Sequence, residues 1–155
     1  MDVVWPFGIA LPSTAVDSIQ SIDLNDICKV VFIKNKTNYD EFLLSELDSD
    51  TFAVYHGGFL SPQKRKLFTK IAQEVPDGAQ VFFWADIDWG GFQMFTQLRA
   101  LFPGMLPFRM SGEDVTVYRE SGFPRSRKYL ERLAQALEKR GHCLTARADE
   151  FWSMA

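Results

Sequence analysis

The chain has 155 residues, 46% of them hydrophobic and 24% charged. At roughly 100–200 residues per domain that length fits one domain, and the ordinary apolar-to-charged balance excludes wholesale disorder. Seventeen basic residues against twenty acidic ones give a formal charge of −3, which excludes a uniformly basic nucleic-acid coat. Contact with nucleic acid would have to come from a local basic patch on an acidic body. Cys28 and Cys143 stand far apart and outside any metal-ligand spacing, against a disulfide framework and in keeping with a reducing cytosol. No apolar run has the length of a membrane span and no basic-then-apolar leader opens the chain. The expectation is a soluble, cytoplasmic protein with no membrane partner.

Residues 1–28 read as a lead-in, punctuated by Pro6, Gly8 and Pro12, with Ser13–Val16 able to open a short helical turn. A regular rhythm begins at Lys29. Lys29-Val30-Val31-Phe32-Ile33 is a short β-branched run of the kind buried on both faces of a sheet. A helix capped by Thr37 or Asn38 follows, with Phe42, Leu43 and Leu47 on one face. Thr51–Tyr55 is a second strand, ending in His56-Gly57-Gly58. Ser61-Pro62 starts the next helix, Ser as cap and Pro in the first turn, and Leu67, Phe68, Ile71, Ala72 and Val75 form its apolar face. Gln80–Trp84 is a third strand, leading into Ala85-Asp86-Ile87-Asp88-Trp89-Gly90-Gly91 and a helix marked by Met94, Phe95, Leu98, Leu101 and Phe102. Met105–Met110 is a fourth strand, placed at an edge by its Pro107.

Strands alternating with helices predict βαβ units and a parallel sheet, an α/β fold occupying residues 29–111. Residues 112–155 change character to a charged linker and a helix from about Ser126 to Lys139. In such a sheet, ligands bind outside the carboxyl ends of the strands, where the strand order reverses. Three strand ends therefore matter: Lys34-Asn35-Lys36, His56-Gly57-Gly58 and Asp86-x-Asp88. Two carboxylates two residues apart at a strand end can converge on one hard cation such as Mg²⁺. The alternative for the same pair is to cap the next helix and interact favourably with its dipole.

These blocks resemble the Toprim family. Phe32-Ile33-Lys34-Asn35-Lys36-Thr37-Asn38-Tyr39, Tyr55-His56-Gly57-Gly58-Phe59 and Trp84-Ala85-Asp86-Ile87-Asp88-Trp89-Gly90-Gly91-Phe92 occur in the family's order. Within it they look like a narrower group, the Toprim nuclease subunits of Wadjet-type plasmid-defence systems, which are similar to the A subunit of topoisomerase VI. The resemblance covers roughly residues 5–110, and Phe7–Pro12 looks like the segment preceding the core. It implies a three-layer α/β/α fold with a four-stranded, mainly parallel sheet in the order 2-1-3-4. It also implies Mg²⁺- or Mn²⁺-dependent DNA cleavage, DNA and a condensin-like defence complex as partners, and room for a homodimer. Larger members carry further N-terminal domains, and the resemblance leaves open whether this chain is a fragment of such a protein.

One departure stands out. Where the family has a Glu before the Asn, as metal ligand or general acid/base, this chain has Lys34. A lysine brings its own positive charge and offers no oxygen ligand. Paired with Asp86 or Asp88, it is expected to leave the catalytic position filled and the nuclease impaired. An engineered Glu→Lys change and a naturally inactive relative both fit, the close match around it favouring the single change. Lys64, Arg65 and Lys66, and Arg125, Arg127 and Lys128, are candidates for phosphate contact or else solvated helix faces. His56 belongs either to the site or to a hydrogen-bonded turn, and Trp84 and Trp89 either stack on bases or pack. A non-catalytic DNA-binding or scaffold module is the competing function. A haloacid-dehalogenase-type phosphatase fits less well, because two strands precede the Asp pair and Trp-Gly follows it. No P-loop pattern occurs.

Overall fold

Because β-branched and aromatic side chains alternate across a pleated strand, each short run buries two faces at once. The computed structural model describes residues 11–110 together with Arg127 and Glu131. In it, β1 (Lys29–Ile33), α1 (Lys36–Ser45), β2 (Thr51–Tyr55), α2 (Pro62–Glu74), β3 (Gln80–Trp84), α3 (Trp89–Arg99) and β4 (Leu106–Pro107) follow in strict alternation. The four strands form one sheet in the order β2-β1-β3-β4, and every pairing is parallel. In the central pairings, Ile33 stands opposite Tyr55 on one side and Trp84 on the other. β4 is only two residues long and pairs with β3 alone. Pro107 has no N–H to donate, which keeps this strand short and at the edge.

One face of the sheet carries Val31 and Ile33, covered by Phe42 of α1 with Tyr39, Leu47, Trp84 and Phe108 around them. The other carries Phe32 and Phe83. Phe32 meets Phe68 of α2 edge-on at 5.0 Å, and Phe83 stacks on Phe95 of α3 at 6.1 Å. Helices thus cover both faces, an arrangement consistent with a Toprim-like three-layer fold. Removing a ring such as Phe32 from this core costs roughly 3–5 kcal/mol.

Caps decide where the helices start. Ser61 caps α2 through its hydroxyl, which accepts from Lys64 N–H at 3.3 Å. The first helix departs from expectation: α1 begins at Lys36, with Asn35 rather than Thr37 or Asn38 as N-cap, and the Asn35 side chain makes no capping bond. The lead-in forms a 3-10 turn over Ser13–Ser18. Val16 and Leu24 from it are buried, while Asp17 and the Ile19 carbonyl receive Lys66 and Lys70 of α2. Residues 7–10 of the expected preceding segment lie outside the described residues. So does the expected Ser126–Lys139 helix, apart from Arg127 and Glu131, which are helical and paired at 3.2 Å. The chain divides into two compact units, Met1–Phe108 and Arg109–Ala155. Among the described residues, no helix is long and apolar enough to cross a membrane.

Candidate functional site

The connection leaving β1 runs to a helix on one face of the sheet and the connection leaving neighbouring β3 runs to a helix on the other. A crevice opens between two such strand ends because their loops part. Ladder contacts continue past the strands and hold its walls: Lys34 N–H donates to the Trp84 carbonyl at 2.8 Å, and His56 N–H to the Ile33 carbonyl at 2.7 Å. Lys34 and Asn35 stand on one side of the crevice, Asp86 and Asp88 on the other.

The two aspartates do different things. Asp86 accepts from Lys34 Nζ at 2.8 Å through Oδ2 and from Asn35 Nδ2 at 2.6 Å through Oδ1. Asp88 is the N-cap of α3, its Oδ1 accepting from Gly91 N–H at 2.7 Å. The capping alternative therefore applies to Asp88 and not to Asp86. The Lys34 ammonium also lies 4.0 Å from Asp88 Oδ1, so one cation serves both carboxylates. The Lys34 side chain is 19% exposed and that of Asp86 50%, so the pair is covered on the lysine side and open to water on the aspartate side. Partial burial pushes the Asp86 carboxyl upward, but hydrogen bonds from Lys34 and Asn35 and the Lys34 charge outweigh it and hold the carboxyl below its ordinary value.

This donor set does not fit a divalent cation. Both Asp86 oxygens and one Asp88 oxygen already accept from N–H groups, and a hard cation needs those oxygens free and usually brings waters of its own. Among the described residues, no group of three or more His, Cys, Asp or Glu could hold a metal.

Gly91 permits the close approach of α3 to the Asp86 loop. A Cβ at Gly91 would sit far inside contact distance of the Asp86 carbonyl oxygen, whereas one at Gly90 would meet nothing closer than 3.4 Å. Asn35 and Gly91 are the site residues to which the sequence assigned no partner. The signal for Asn35 is a helix-capping residue placed directly after a charged strand end, where its amide is free to reach across.

His56 is fully buried between Phe68 at 5.4 Å and Phe83 at 5.7 Å. Its Nδ1 is 3.0 Å from the Gly57 carbonyl oxygen, so Nδ1–H donates and Nε2 is the bare nitrogen, buried without a hydrogen-bond partner. Burial lowers its pKa below the ordinary value of 6.5. It is a turn histidine that fixes the Gly57–Gly58 backbone and does not reach the carboxylates. Of the basic candidates, Lys64 donates to the Gly58 and Phe59 carbonyls at 3.2 and 3.5 Å. Lys66 is paired with Asp17 at 2.9 Å, Arg65 is exposed, and Arg127 is paired with Glu131. Lys128 lies outside the described residues. Trp84 packs edge-on against Phe108 at 5.7 Å.

A doubly wound parallel sheet, with an Asp-x-Asp loop facing the end of the first strand across the switch point, defines the class: an α/β domain consistent with a Toprim-like three-layer fold. Comparison with known proteins narrows it. The profile of the family described as "Wadjet protein JetD, C-terminal" matches residues 4–147, and the chain belongs to that family. Wadjet protein JetD of Bacillus cereus (strain Q1) is 26% identical over 145 residues, covering 90% of this chain and 34% of that protein. The chain thus spans about a third of the length of the curated relative it matches.

Proposed function

We propose that this chain is the Toprim module of a Wadjet-type plasmid-defence protein, built on the plan of a divalent-metal DNA nuclease but unable to cleave DNA as written. One observation carries the reading: the Lys34 ammonium sits 2.8 Å from Asp86 and 4.0 Å from Asp88 at the switch-point crevice. A divalent cation entering there meets a fixed positive charge, a repulsion on the order of 4 kcal/mol per unit charge at 4 Å and an effective dielectric of 20. It would also have to displace hydrogen bonds from Lys34, Asn35 and Gly91. The module keeps the shape of the family's site and closes its chemistry with an internal ion pair. Its partners on this reading are DNA and a larger defence complex. A purely non-catalytic DNA-binding or scaffold role follows from the same pair if a glutamate at position 34 fails to confer cleavage.

The test is plasmid nicking with Mn²⁺, comparing the unmodified chain, Lys34→Glu, and Lys34→Glu combined with Asp86→Ala or with Asp88→Asn. Asparagine is chosen at 88 because it keeps a side-chain acceptor for the Gly91 N–H and so preserves the α3 cap. No nicking by the unmodified chain, nicking by Lys34→Glu and its loss in both double variants is the expected pattern. Robust cleavage by the unmodified chain overturns the reading.

A further inference from the structure

β2 lies at the edge of the sheet, so the turn that follows it has a neighbouring strand end on one side only. Two large aromatic side chains on that turn face solvent, Tyr55 at 45% exposure and Phe59 at 58%. The Tyr55 ring also leans on Tyr39 of α1, with centroids 5.7 Å apart. Between Tyr55 and Phe59 runs Gly57, in the left-handed region at φ 63°. A Cβ built on Gly57 would meet Lys64 Nζ at 3.3 Å and two carbons of the Tyr55 ring at 3.5 Å. An aromatic ring and an ammonium group therefore flank a strip of backbone that carries no side chain.

The ammonium is held by backbone carbonyls, as that of Lys70 is, and not by a carboxylate. Lys34, Lys36 and Lys66 each pair with an aspartate. Lys64 instead donates to two carbonyls of the turn. Among the described residues no carboxylate lies within ion-pair distance of it, and Arg65 beside it is exposed. Partial burial lowers the Lys64 pKa, with no acidic neighbour acting on it. The turn thus presents the Tyr55 ring and an ammonium group with no carboxylate partner on either side of Gly57, with the exposed Phe59 two residues further on.

We propose that Tyr55, Gly57, Phe59 and Lys64 form a platform for an unpaired DNA nucleotide, whose base stacks on the exposed rings while its phosphate meets Lys64. The proposal rests on the reading of the chain as a DNA-acting module. A nucleotide is a ligand that joins a flat π-face to an anion, and base–aromatic stacking tolerates any sequence. A duplex offers its phosphates to Lys64 but keeps its base faces covered by their neighbours, so the platform selects unpaired strand. The turn borders the crevice, because His56 N–H is bonded to the Ile33 carbonyl one residue before Lys34. A strand held there would run beside the Asp86 site.

The experiment is a fluorescence-anisotropy titration of the full chain with a short labelled oligothymidylate and with a labelled duplex, at low and moderate salt. The single strand is expected to bind more tightly. Tyr55→Ala and Phe59→Ala are each expected to weaken it by roughly five- to a hundredfold, the loss of one stacked base, while Tyr55→Phe retains binding. Lys64→Gln should weaken binding and reduce the salt slope by about one released counterion. Thermal melting of each variant confirms that the fold is kept, which is expected because both rings are exposed. Binding of single strand that is unchanged in both alanine variants, or duplex bound as tightly as single strand, overturns the platform while leaving a DNA-acting module in place. A chain that binds neither nucleic acid overturns the platform and the DNA-acting reading together.

Discussion

Lys34 decides the character of the site because its charge is shared by two carboxylates in a half-covered crevice. Titration calorimetry with Mg²⁺ or Mn²⁺ should detect no tight binding to the unmodified chain. Lys34→Glu should bind measurably more tightly, since it removes the ammonium and adds two oxygens. Tight binding centred on Asp86 and Asp88 in the unmodified chain would show that the lysine does not stand in for a cation. His56 and Asp86 also shape the response to acid. His56 is held neutral by burial, with its pKa below 6.5. The unfolded chain therefore takes up a proton first, and stability begins to fall as the pH drops past 6.5. Asp86 has its pKa below 3.8, so its contribution is complete above 3.8 and is lost as the pH falls from there through the lower, folded value. Melting temperature against pH should show two successive declines, and His56→Leu should flatten the first. A first decline of equal steepness in His56→Leu would place its cause elsewhere. At this scale Lys34, Asp86 and Asp88 were legible in the sequence, because strand-end position and charge bring them together. The division of labour between the aspartates was not, since it depends on the turn in which Asp88 N–H donates to the Asp86 carbonyl at 2.8 Å.

At the level of elements, alternation of apolar runs with helical faces was readable because each strand is short and each helix has a clear stripe. The second helix shows how far local chemistry reaches: Ser61 and Pro62 mark its start in the sequence and in the fold alike. The first helix shows where it stops. Thr37 and Asn38 are good caps by residue type, yet the helix begins before them, and Asn35 commits its amide to Asp86. A contact across 51 residues overrides a local preference. The third helix depends on a glycine that no periodicity reports. Gly91→Ala would drive a methyl group into the Asp86 carbonyl oxygen, part of the backbone that cannot swing aside. A destabilisation of about 1–3 kcal/mol is expected, as for other overpacked positions. Gly90→Ala meets only ordinary contacts and should be neutral or stabilising by up to about 1 kcal/mol through its effect on the unfolded chain. Chemical denaturation of the two variants side by side checks the pair. Equal stabilities would mean that α3 does not need its close approach to the Asp86 loop.

For the molecule as a whole, the lead-in belongs to the structural unit that bears the site, although its sequence has neither the length nor the periodicity of a regular element. Val16 and Leu24 are each 4% exposed, and Asp17 and the Ile19 carbonyl are bonded to lysines of α2. Patterning could not disclose this, because two apolar residues eight positions apart in a turn-rich segment carry no period. The consequence is that the α2 layer, which supports His56 through Phe68, relies on residues that precede the first strand. Leu24→Ala removes buried methyl groups, and should cost roughly 2–5 kcal/mol. Leu44→Ala makes the same chemical change on the outside of α1, where the side chain is 78% exposed, and should fall within about 0.5 kcal/mol of the parent. Urea titration followed by tryptophan fluorescence measures both on one scale. If the Leu24 variant unfolds at the parent's midpoint, the lead-in is a covering that the fold can shed, and the support it lends to α2 and the Gly57 turn is not structural.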